Sequence, residues 1–384
     1  MPFSELQKNL NELSAQDLLR RRRVLDSPQG VHVIVDGKFC LSFSSNDYLG
    51  LANHPQLIAA LQQGAQQYGA GAGASHLISG HIAAHQKLEL AFADFIGKPE
   101  ALMFSTGYLA NLGAVQALVG HGDTVFADRL NHASLNDAML LSRARIRRYR
   151  HNDAEHLAAL LAESRTGRKL VVTDAVFSMD GDLACLPRLL ALCEQHEAWL
   201  LVDDAHGFGV LGEQGRGALA HFGLDSPRII CMATLGKAAG VSGAMIAAEQ
   251  VVIETLVQHA RSYVYTTASP PALACALQAG LVLLREEEWR RVHLRGLISQ
   301  LRAGLADLPW TLMPSLTPIQ PLLVGSNEEA MVLSERLRLC GIWVPAIRQP
   351  TVPEGGARLR ISLSAAHSEQ DVEQLIGSLH ELAH

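Results

Sequence analysis

Short apolar runs alternate with longer helical segments through much of the chain, and this alternation constrains the fold more than any other sequence feature. Strands that are separated by helices form parallel sheets with covered faces and right-handed crossovers. Ligands of such sheets collect at the carboxyl ends of the strands. We therefore predict a mainly parallel α/β domain whose strands include residues 101–104, 124–127, 169–173, 199–202 and 229–232.

The pattern changes at both ends of the chain. Residues 6–23 predict an amphipathic helix that ends in four arginines, and residues 31–35 and 39–43 predict a hairpin around Asp36-Gly37. Beyond residue 284 we expect helices at 285–308, 328–340 and 369–382, with short strands at 319–324, 342–347 and 358–363. The predicted domains are an N-terminal helix and hairpin segment (1–45), a large α/β domain (46–284) and a small α+β domain (285–384).

Composition excludes several classes of function. A formal charge of −6 argues against general binding to nucleic acid, and the longest apolar stretch, residues 272–284, is too short to cross a membrane. The six cysteines form no Cys-x-x-Cys pair, which favours thiols in a reducing cytoplasm. His81 and His85 have the spacing of helical metal ligands, but no third ligand is evident nearby, so we expect no metal site.

A lysine and two polar side chains follow neighbouring predicted strands. Asp203 and His206 come directly after the run 199–202, and Lys237 follows the run 229–232 within a glycine-rich segment. These residues supply an amine for a Schiff base, a carboxylate for a pyridinium nitrogen and a donor for a ring hydroxyl, which are the groups that hold pyridoxal 5'-phosphate (PLP). The sequence therefore predicts a PLP enzyme.

Each of these features also has an ordinary structural interpretation. An aspartate after an apolar run commonly caps a helix, and a loop lysine is commonly solvated. The order of strand, Asp203, His206, strand and Lys237 favours the cofactor over both. A dinucleotide-binding enzyme is the alternative from another class, but no Gly-x-Gly-x-x-Gly with a following acid opens the sheet.

Six sequence blocks resemble the α-oxoamine synthases, a family of fold-type-I PLP-dependent transferases, and they occur in the family's order. The resemblance covers nearly the whole chain and implies a homodimer with shared active sites. Asp174 stands where the family more usually has glutamate. The blocks are Phe43-Ser-Ser-Asn-Asp-Tyr-Leu-Gly-Leu51, Asn131-His-Ala-Ser134, Val176-Phe-Ser-Met-Asp-Gly-Asp182, Asp203-Asp-Ala-His-Gly207, Thr234-Leu-Gly-Lys237 and Pro350-Thr-Val-Pro353.

The resemblance implies a role for each matching residue. Lys237 would hold the cofactor and act as the base at the substrate Cα, Asp203 would keep the pyridine nitrogen protonated, and His132 would stack on the ring. His206 would hydrogen-bond the ring oxygen. The remaining cofactor contacts would come from Gly107, Tyr108, Ser178 and Thr234, and from Thr267 of a neighbouring subunit.

The substrates that the resemblance implies are an amino acid and an acyl thioester. The wording of the blocks favours L-alanine and a pimeloyl thioester of CoA or acyl carrier protein; glycine with acetyl-CoA is the alternative. Arg360 would bind the amino-acid carboxylate, although an exposed strand arginine is the ordinary interpretation. Asn46, His132 and Thr351 would also contact substrate. The acyl donor would meet an N-terminal arginine, Arg20, Arg21 or Arg22, of which Arg20 is our prediction.

Overall fold

The computed structural model describes residues 2–16, 18–20, 22–165 and 167–383. The chain divides into two compact units. Unit 1 consists of Met1–Ser45, Met179–Gly181 and His293–His384, and unit 2 consists of Asn46–Ser178 and Asp182–Val292. The predicted division into three domains stays a prediction. In the two-unit division, residues 1–45 and 293–384 belong to the same unit.

The helices and strands are numbered in chain order. A π-helical turn spans His76–Gly80 and a 3₁₀ turn spans Glu213–Gly215. The helices are α1 (Ser4–Ala15), α2 (Pro55–Tyr68), α3 (Ala83–Ile96), α4 (Gly107–Leu118), α5 (Ala133–Ser142), α6 (Ala154–Glu163), α7 (Leu186–Gln195), α8 (Ala218–Phe222), α9 (Gln250–His259), α10 (Arg261–Val264), α11 (Pro271–Glu286), α12 (Glu288–Gly304), α13 (Asn327–Leu339) and α14 (Glu369–Ala383). The strands are β1 (His32–Val35), β2 (Lys38–Ser42), β3 (Glu100–Phe104), β4 (Thr124–Asp128), β5 (Arg145–Tyr149), β6 (Lys169–Asp174), β7 (Trp199–Asp203), β8 (Ile229–Thr234), β9 (Ala244–Ala248), β10 (Thr311–Leu312), β11 (Ile319–Gly325), β12 (Ile342–Trp343), β13 (Ala346–Ile347) and β14 (Ala357–Ser362).

Unit 2 contains a seven-stranded sheet in the order β3-β9-β8-β7-β6-β4-β5. The pairs from β8 through β7, β6 and β4 to β5 are parallel, whereas β9 runs antiparallel to both β8 and β3. The central strands are buried on both faces because helices cover the sheet on either side, as their continuous apolar sequences require. The five strands predicted from the apolar runs are confirmed.

Two strands of this sheet escaped the sequence analysis for different reasons. β5 has the sequence Arg-Ile-Arg-Arg-Tyr, and such charge is tolerated because β5 pairs only with β4 and lies at the edge of the sheet. β9 is alanine-rich and has little intrinsic strand preference, yet its positions are fully buried between β3 and β8. Tertiary context therefore decided both strands.

The predicted N-terminal helix is too long. α1 ends at Ala15, and no residue in it is buried. A helix that packs against nothing has little to stabilise a further turn, so the segment that carries Arg20 and Arg22 lies outside it. The arginines therefore do not neutralise the end of this helix. Arg21 lies outside the described residues.

Unit 1 contains two small sheets. The predicted hairpin is confirmed as β1 and β2, and β2 also pairs in parallel with β12. The second sheet has the order β10-β11-β14-β13, with antiparallel pairing. The single strand predicted at 342–347 is instead two short strands, β12 and β13, which belong to different sheets.

Among the described residues, no helix is both long enough and apolar enough to span a bilayer. All six cysteines are present as thiols rather than disulfides.

Candidate active site

The candidate active site in unit 2 lies where three adjacent parallel strands end. Asp174, at the end of β6, is in register with Asp203, at the end of β7. Asp203 is in turn in register with Met232, two residues before the end of β8 at Thr234. Parallel strands bring their carboxyl ends to one edge of a sheet, so residues that are far apart in sequence converge there.

The loop after β8 fixes the position of Lys237. The Leu235 N–H donates to the Gly243 carbonyl at 2.9 Å, and the Gly240 N–H donates to the Lys237 carbonyl, also at 2.9 Å. Gly240 has φ +72°, and a Cβ there would lie 2.6 Å from the backbone of Leu51. The glycine is therefore required both by its backbone conformation and by close packing. The lysine is held by a tight loop at the strand end, as its sequence context predicts.

The Lys237 amine lies within a chain of polar side chains. Its Nζ is 3.2 Å from His206 Nε2, and His206 Nδ1 is 2.7 Å from the Tyr48 hydroxyl. The hydroxyl of Tyr48 in turn donates to Asn46 Oδ1 at 3.2 Å. Tyr48 and His206 are 158 positions apart, and both are buried. The predicted pair of Lys237 and His206 is thus brought together, and Tyr48 is a member that the sequence analysis did not identify.

Asp203 is a buried carboxylate whose hydrogen bonds come from neutral donors. Oδ2 accepts from the Asn111 side-chain amide at 2.7 Å, and Oδ1 accepts from the Ala205 N–H at 3.0 Å. The same Asn111 amide nitrogen also donates to Ser134 Oγ at 2.9 Å. Because these donors are uncharged, they orient Asp203 without neutralising it. The carboxylate can therefore stabilise a cation such as a protonated ring nitrogen.

His132 lies at the amino end of α5, where it caps the helix. Its Nδ1 is 2.7 Å from Ser134 Oγ, and its backbone N–H donates to Asp174 Oδ2 at 2.8 Å. Burial lowers the pKa of His132, and Lys237 adds to this effect although Asp203 opposes it. Burial, together with repulsion from Asp203, raises the pKa of Asp174 well above its usual range. A neutral imidazole next to a lysine suits stacking on an aromatic ring.

The amino end of α4 offers a site for an anion. Thr106 caps the helix by accepting from the Leu109 N–H at 3.2 Å, while the first N–H groups, those of Gly107 and Tyr108, have no carbonyl one turn earlier in the helix. A Cβ on Gly107 would lie 2.4 Å from Thr234 Cγ2, so only glycine allows this approach. The Tyr108 hydroxyl donates to Asp137.

These groups fit PLP. A buried carboxyl group, an imidazole beside a lysine amine and the amino end of a helix are the chemical complement of a pyridinium ring, an aldehyde and a phosphate. Two further residues were predicted to contact the cofactor, Ser178 and Thr267. Ser178 lies in a turn after the bridge at Val176, and Thr267 forms an isolated bridge with Ser75 and is exposed.

The predicted carboxylate ligand, Arg360, is one of two buried arginines on β14. Arg360 is 6% exposed, and its Nη1 donates to Ser362 Oγ at 2.8 Å. The exposed-strand interpretation of Arg360 is therefore wrong. Arg358 is also buried, but its guanidinium bonds the Asp180 carboxylate and donates to the Met179 carbonyl at 3.1 Å. Arg358 therefore has a carboxylate partner within unit 1.

Thr351 and Arg20 lie on the surface of unit 1. The Thr351 N–H donates to the Arg348 carbonyl at 3.0 Å, and its side chain is exposed. Arg20 lines a cavity of about 590 Å³ together with Arg23, Arg338 and Arg348. The cavity wall carries these four arginines and one acid, Glu335, which pairs with Arg338. The sequence suggested this only in part, because Arg338 and Arg348 are distant along the chain from Arg20.

A second polar cluster at the same edge of the sheet was not predicted. His151 Nδ1 is 3.0 Å from Asp128 Oδ1, and His151 Nε2 is 3.0 Å from Asp182 Oδ2. Burial would lower the pKa of His151, but hydrogen bonds to the two carboxylates outweigh it and raise the pKa to about 10. Like Tyr48 and Asn111, His151 bonds to partners that only the folded chain brings near, so no local pattern marks it.

The sequence and the fold of this chain are similar to those of known enzymes. Residues 38–379 match the family model of class I and II aminotransferases. An 8-amino-7-oxononanoate synthase of Nitrosomonas europaea is 59% identical, with 99% of each chain covered. A structure of serine palmitoyltransferase with PLP has a TM-score of 0.93 at 28% identity and covers 99% of this chain and 96% of its own. A crystal structure of 8-amino-7-oxononanoate synthase from Francisella tularensis has a TM-score of 0.78 at 32% identity, covering 89% and 97%.

Proposed function

The chain belongs to the class I and II aminotransferase family and, within it, to the 8-amino-7-oxononanoate synthases, and from this we propose that it joins L-alanine to a pimeloyl thioester. It is a PLP-dependent acyltransferase with the fold of fold-type-I PLP enzymes, as predicted. The product, 8-amino-7-oxononanoate, belongs to biotin biosynthesis. The observation that carries the residue assignments is the position of the Lys237 amine, 3.2 Å from His206 Nε2, in the loop after β8.

Eight residues of unit 2 are assigned to the cofactor. Lys237 holds it covalently through Nζ, Asp203 keeps the ring nitrogen protonated, and His206 donates to the ring oxygen. His132 packs on the ring face. The phosphate is assigned to the Gly107 and Tyr108 N–H groups at the start of α4, with the hydroxyls of Ser178 and Thr234. When bound, PLP supplies an electron sink for negative charge at the substrate Cα.

The residues of the chain then control one proton and one carboxylate. Once the amino group of alanine has displaced it from the cofactor, Lys237 would remove the Cα proton of alanine, and His206 would help to position the amine through its 3.2 Å contact. A carbon–carbon bond forms between Cα and the thioester carbonyl carbon as the carbon–sulfur bond breaks and the thiol carrier leaves. The alanine carboxylate departs as CO2, and Lys237 returns a proton to Cα.

Substrate recognition is assigned to unit 1 and to Asn46. Arg360 binds the alanine carboxylate, because a guanidinium matches two carboxylate oxygens, and Ser362 helps to orient it. Asn46 of unit 2 and Thr351 of unit 1 are also assigned to substrate. The basic cavity lined by Arg20 suits the anionic groups of the thioester carrier, whether CoA or acyl carrier protein.

The active form is proposed to be a homodimer in which Thr267 reaches the phosphate of the partner subunit's cofactor. The exposure of Thr267, despite its bridge to Ser75, supports this assignment, because a side chain that serves a partner must face outward from its own chain.

A product assay tests the proposed reaction. The holoenzyme is offered alanine, glycine or serine, each with pimeloyl-CoA or acetyl-CoA, and products are identified by mass spectrometry. We expect CO2 release and 8-amino-7-oxononanoate only from alanine with pimeloyl-CoA. Turnover of glycine with acetyl-CoA alone would replace this assignment with the glycine alternative, while leaving the cofactor site intact.

Two arginine variants separate the substrate assignments. Arg360→Ala should weaken alanine binding by roughly ten- to a hundredfold, the effect of a charged hydrogen-bonded pair, and leave the KM for pimeloyl-CoA nearly unchanged. Arg20→Ala should do the reverse. Steady-state KM values for both substrates, measured on both variants, show which substrate each arginine binds. An unchanged KM for alanine in Arg360→Ala would exclude Arg360 as the carboxylate ligand.

A further inference from the structure

Three histidines of unit 2 form a cluster outside the active site. His81 and His85 have the helical ligand spacing evident in the sequence, and the third residue, which sequence analysis did not find, is His76 at the start of the π-helical turn His76–Gly80. One ring nitrogen from each histidine lies within 4.8 Å of those of the other two. We propose that His76, His81 and His85 bind a divalent transition-metal ion such as Zn²⁺.

The ring nitrogens that face each other are separated by a distance close to that in a zinc site. His76 Nδ1 and His81 Nδ1 are 3.0 Å apart. Two nitrogens that bind one tetrahedral Zn²⁺ at 2.0–2.1 Å are about 3.3 Å apart, so a shift of about 0.3 Å would admit the ion between them. In the metal-free protein one of these nitrogens carries the proton that joins the pair.

The outer nitrogens have partners that orient the rings for ligation. His85 Nε2 is 2.8 Å from the Ser269 carbonyl, which can only accept, so Nε2 carries the proton and Nδ1 carries the lone pair. His81 Nε2 faces Gln86 Oε1 at 3.2 Å, which likewise leaves Nδ1 of His81 as the lone-pair atom. Metal-bound histidines have this arrangement, in which the nitrogen that does not ligate donates to an oxygen.

His85 must exchange one contact to complete the site. Its Nδ1 accepts from the Ile82 N–H at 3.1 Å in the metal-free chain, and the metal would replace that bond. His76 is held by ring stacking on Tyr263, with centroids 4.8 Å apart.

The surroundings select the ion and leave one coordination position for water. Three imidazoles without a thiolate favour Zn²⁺, Ni²⁺, Co²⁺ or Cu²⁺ over Mg²⁺ and Ca²⁺, which prefer oxygen ligands. His76 and His81 line a cavity of about 550 Å³, which also contains Glu89, a carboxylate 3.8 Å from His81 Nε2. A fourth ligand from solvent can therefore approach the metal from this cavity.

Metal titration of the holoenzyme tests the proposal. After treatment with EDTA and gel filtration, Zn²⁺ is added in the presence of a competing chelator, and bound zinc is measured per chain. We expect one tight ion per chain in the wild type, affinity lowered about 100-fold or more in His81→Ala, and affinity lowered about 10-fold in Gln86→Ala, in which an outer partner is lost. His121→Ala, which removes an exposed histidine, should bind like the wild type.

Spectroscopy identifies the metal ligands, and folding controls show whether a variant that loses zinc is still folded. X-ray absorption at the zinc edge should show imidazole nitrogens at about 2.0–2.1 Å. His81 is partly exposed, so His81→Ala should keep the circular dichroism and the bound-PLP absorbance of the wild type. If His81→Ala is folded and binds zinc as tightly as the wild type, or if the wild type binds no more tightly than surface histidines do, the proposal is wrong. Neither outcome depends on the proposed reaction.

Discussion

Two polar clusters at the same edge of the seven-stranded sheet differ in how their charges are balanced. The His151 cluster consists of His151, Asp128 and Asp182, and both imidazole nitrogens face carboxylates at 3.0 Å. In the Asp203 cluster, which also contains Asn111 and Ser134, the carboxylate is held by neutral donors at 2.7 and 3.0 Å. In the first cluster each carboxylate faces an imidazole that can be a cation, whereas the hydrogen bonds described for Asp203 come from neutral donors.

This difference separates a structural site from a functional one. A histidine fixed between two acids stays protonated and ties together the segments that carry them, but it has no nitrogen left for substrate. Asn111 orients the Asp203 carboxyl group in the same way that His151 orients its two carboxyl groups, but Asn111 is a neutral donor, so Asp203 can still pair with a cationic group of a ligand. Lys237 extends the functional site, because its amine lies next to His206 beyond the neighbouring strand end. Burial alone therefore does not distinguish the two clusters, since Asp128 and Asp203 are both buried.

The largest expected effect comes from Lys237→Ala, which removes both the covalent attachment and the Cα base. We expect product formation from alanine and pimeloyl-CoA to fall by ~10⁴-fold or more. Lys237→Arg keeps a cation beside His206 and should be equally inactive if nucleophilicity rather than charge matters. Borohydride reduction and peptide mapping should locate the cofactor on Lys237 of the wild type, and modification of another lysine would refute the assignment.

Asp203→Asn tests whether an available charge is what makes the Asp203 cluster functional. The amide preserves size and keeps one of the two acceptor oxygens, but it cannot stabilise a ring cation, so kcat should fall by about 10²- to 10³-fold. Asp182→Asn is the matched change in the His151 cluster, and it should alter kcat only a few-fold. Equal losses in the two variants would contradict the distinction between the clusters.

His151→Ala should affect stability more than chemistry. The substitution leaves the buried Asp128 carboxylate without its cationic partner, a change that costs about 3 kcal/mol in the free energy of unfolding. Thermal or urea unfolding of the holoenzyme at pH 7 measures this loss. A variant as stable as the wild type would mean that the carboxylate protonates or finds solvent at little cost.

The pH dependence of stability gives a finer test of the same cluster. His151 has a pKa of about 10 in the folded chain, against 6.5 for an unperturbed histidine. The folded state therefore binds the proton more tightly, so this stabilisation is fully present below pH 6.5 and is lost as the pH rises toward 10. Between pH 7 and pH 9 the Tm of the wild type should fall more than the Tm of His151→Ala. Parallel curves would exclude a raised pKa.

The smallest expected effect is that of Tyr48→Phe. The substitution removes the hydroxyl that lies 2.7 Å from His206 Nδ1, and one neutral hydrogen bond contributes about 0.5–1.5 kcal/mol. We therefore expect kcat/KM to fall by roughly two- to tenfold while PLP stays bound. A loss as large as that of Asp203→Asn would show that Tyr48 controls the protonation of His206 rather than only its orientation.

Much of the large unit could be predicted because its signals are local. Buried parallel strands such as β6 and β7 are continuous apolar runs, and the glycines around Lys237 mark the tight loop that holds it. Predictions failed where the deciding contacts were not local. Nothing in the sequence of α1 indicates that its residues stay exposed in the described part of the chain, and β9 is a strand because β3 and β8 enclose it.

The sequence by itself determined the mainly parallel fold and the roles proposed for Lys237, Asp203 and His206, because each lies beside the strand end that positions it. Only the tertiary structure decided which side chains form hydrogen bonds to Asp203 and His206. Asn111 is 92 positions from Asp203, and Tyr48 is 158 positions from His206. The burial of Arg360 and the joining of His76 to His81 and His85 likewise depend on packing. A buried strand is recognisable from consecutive apolar residues. A hydrogen-bond partner that is distant along the chain comes within reach only when the chain folds and closes the loop between the two residues.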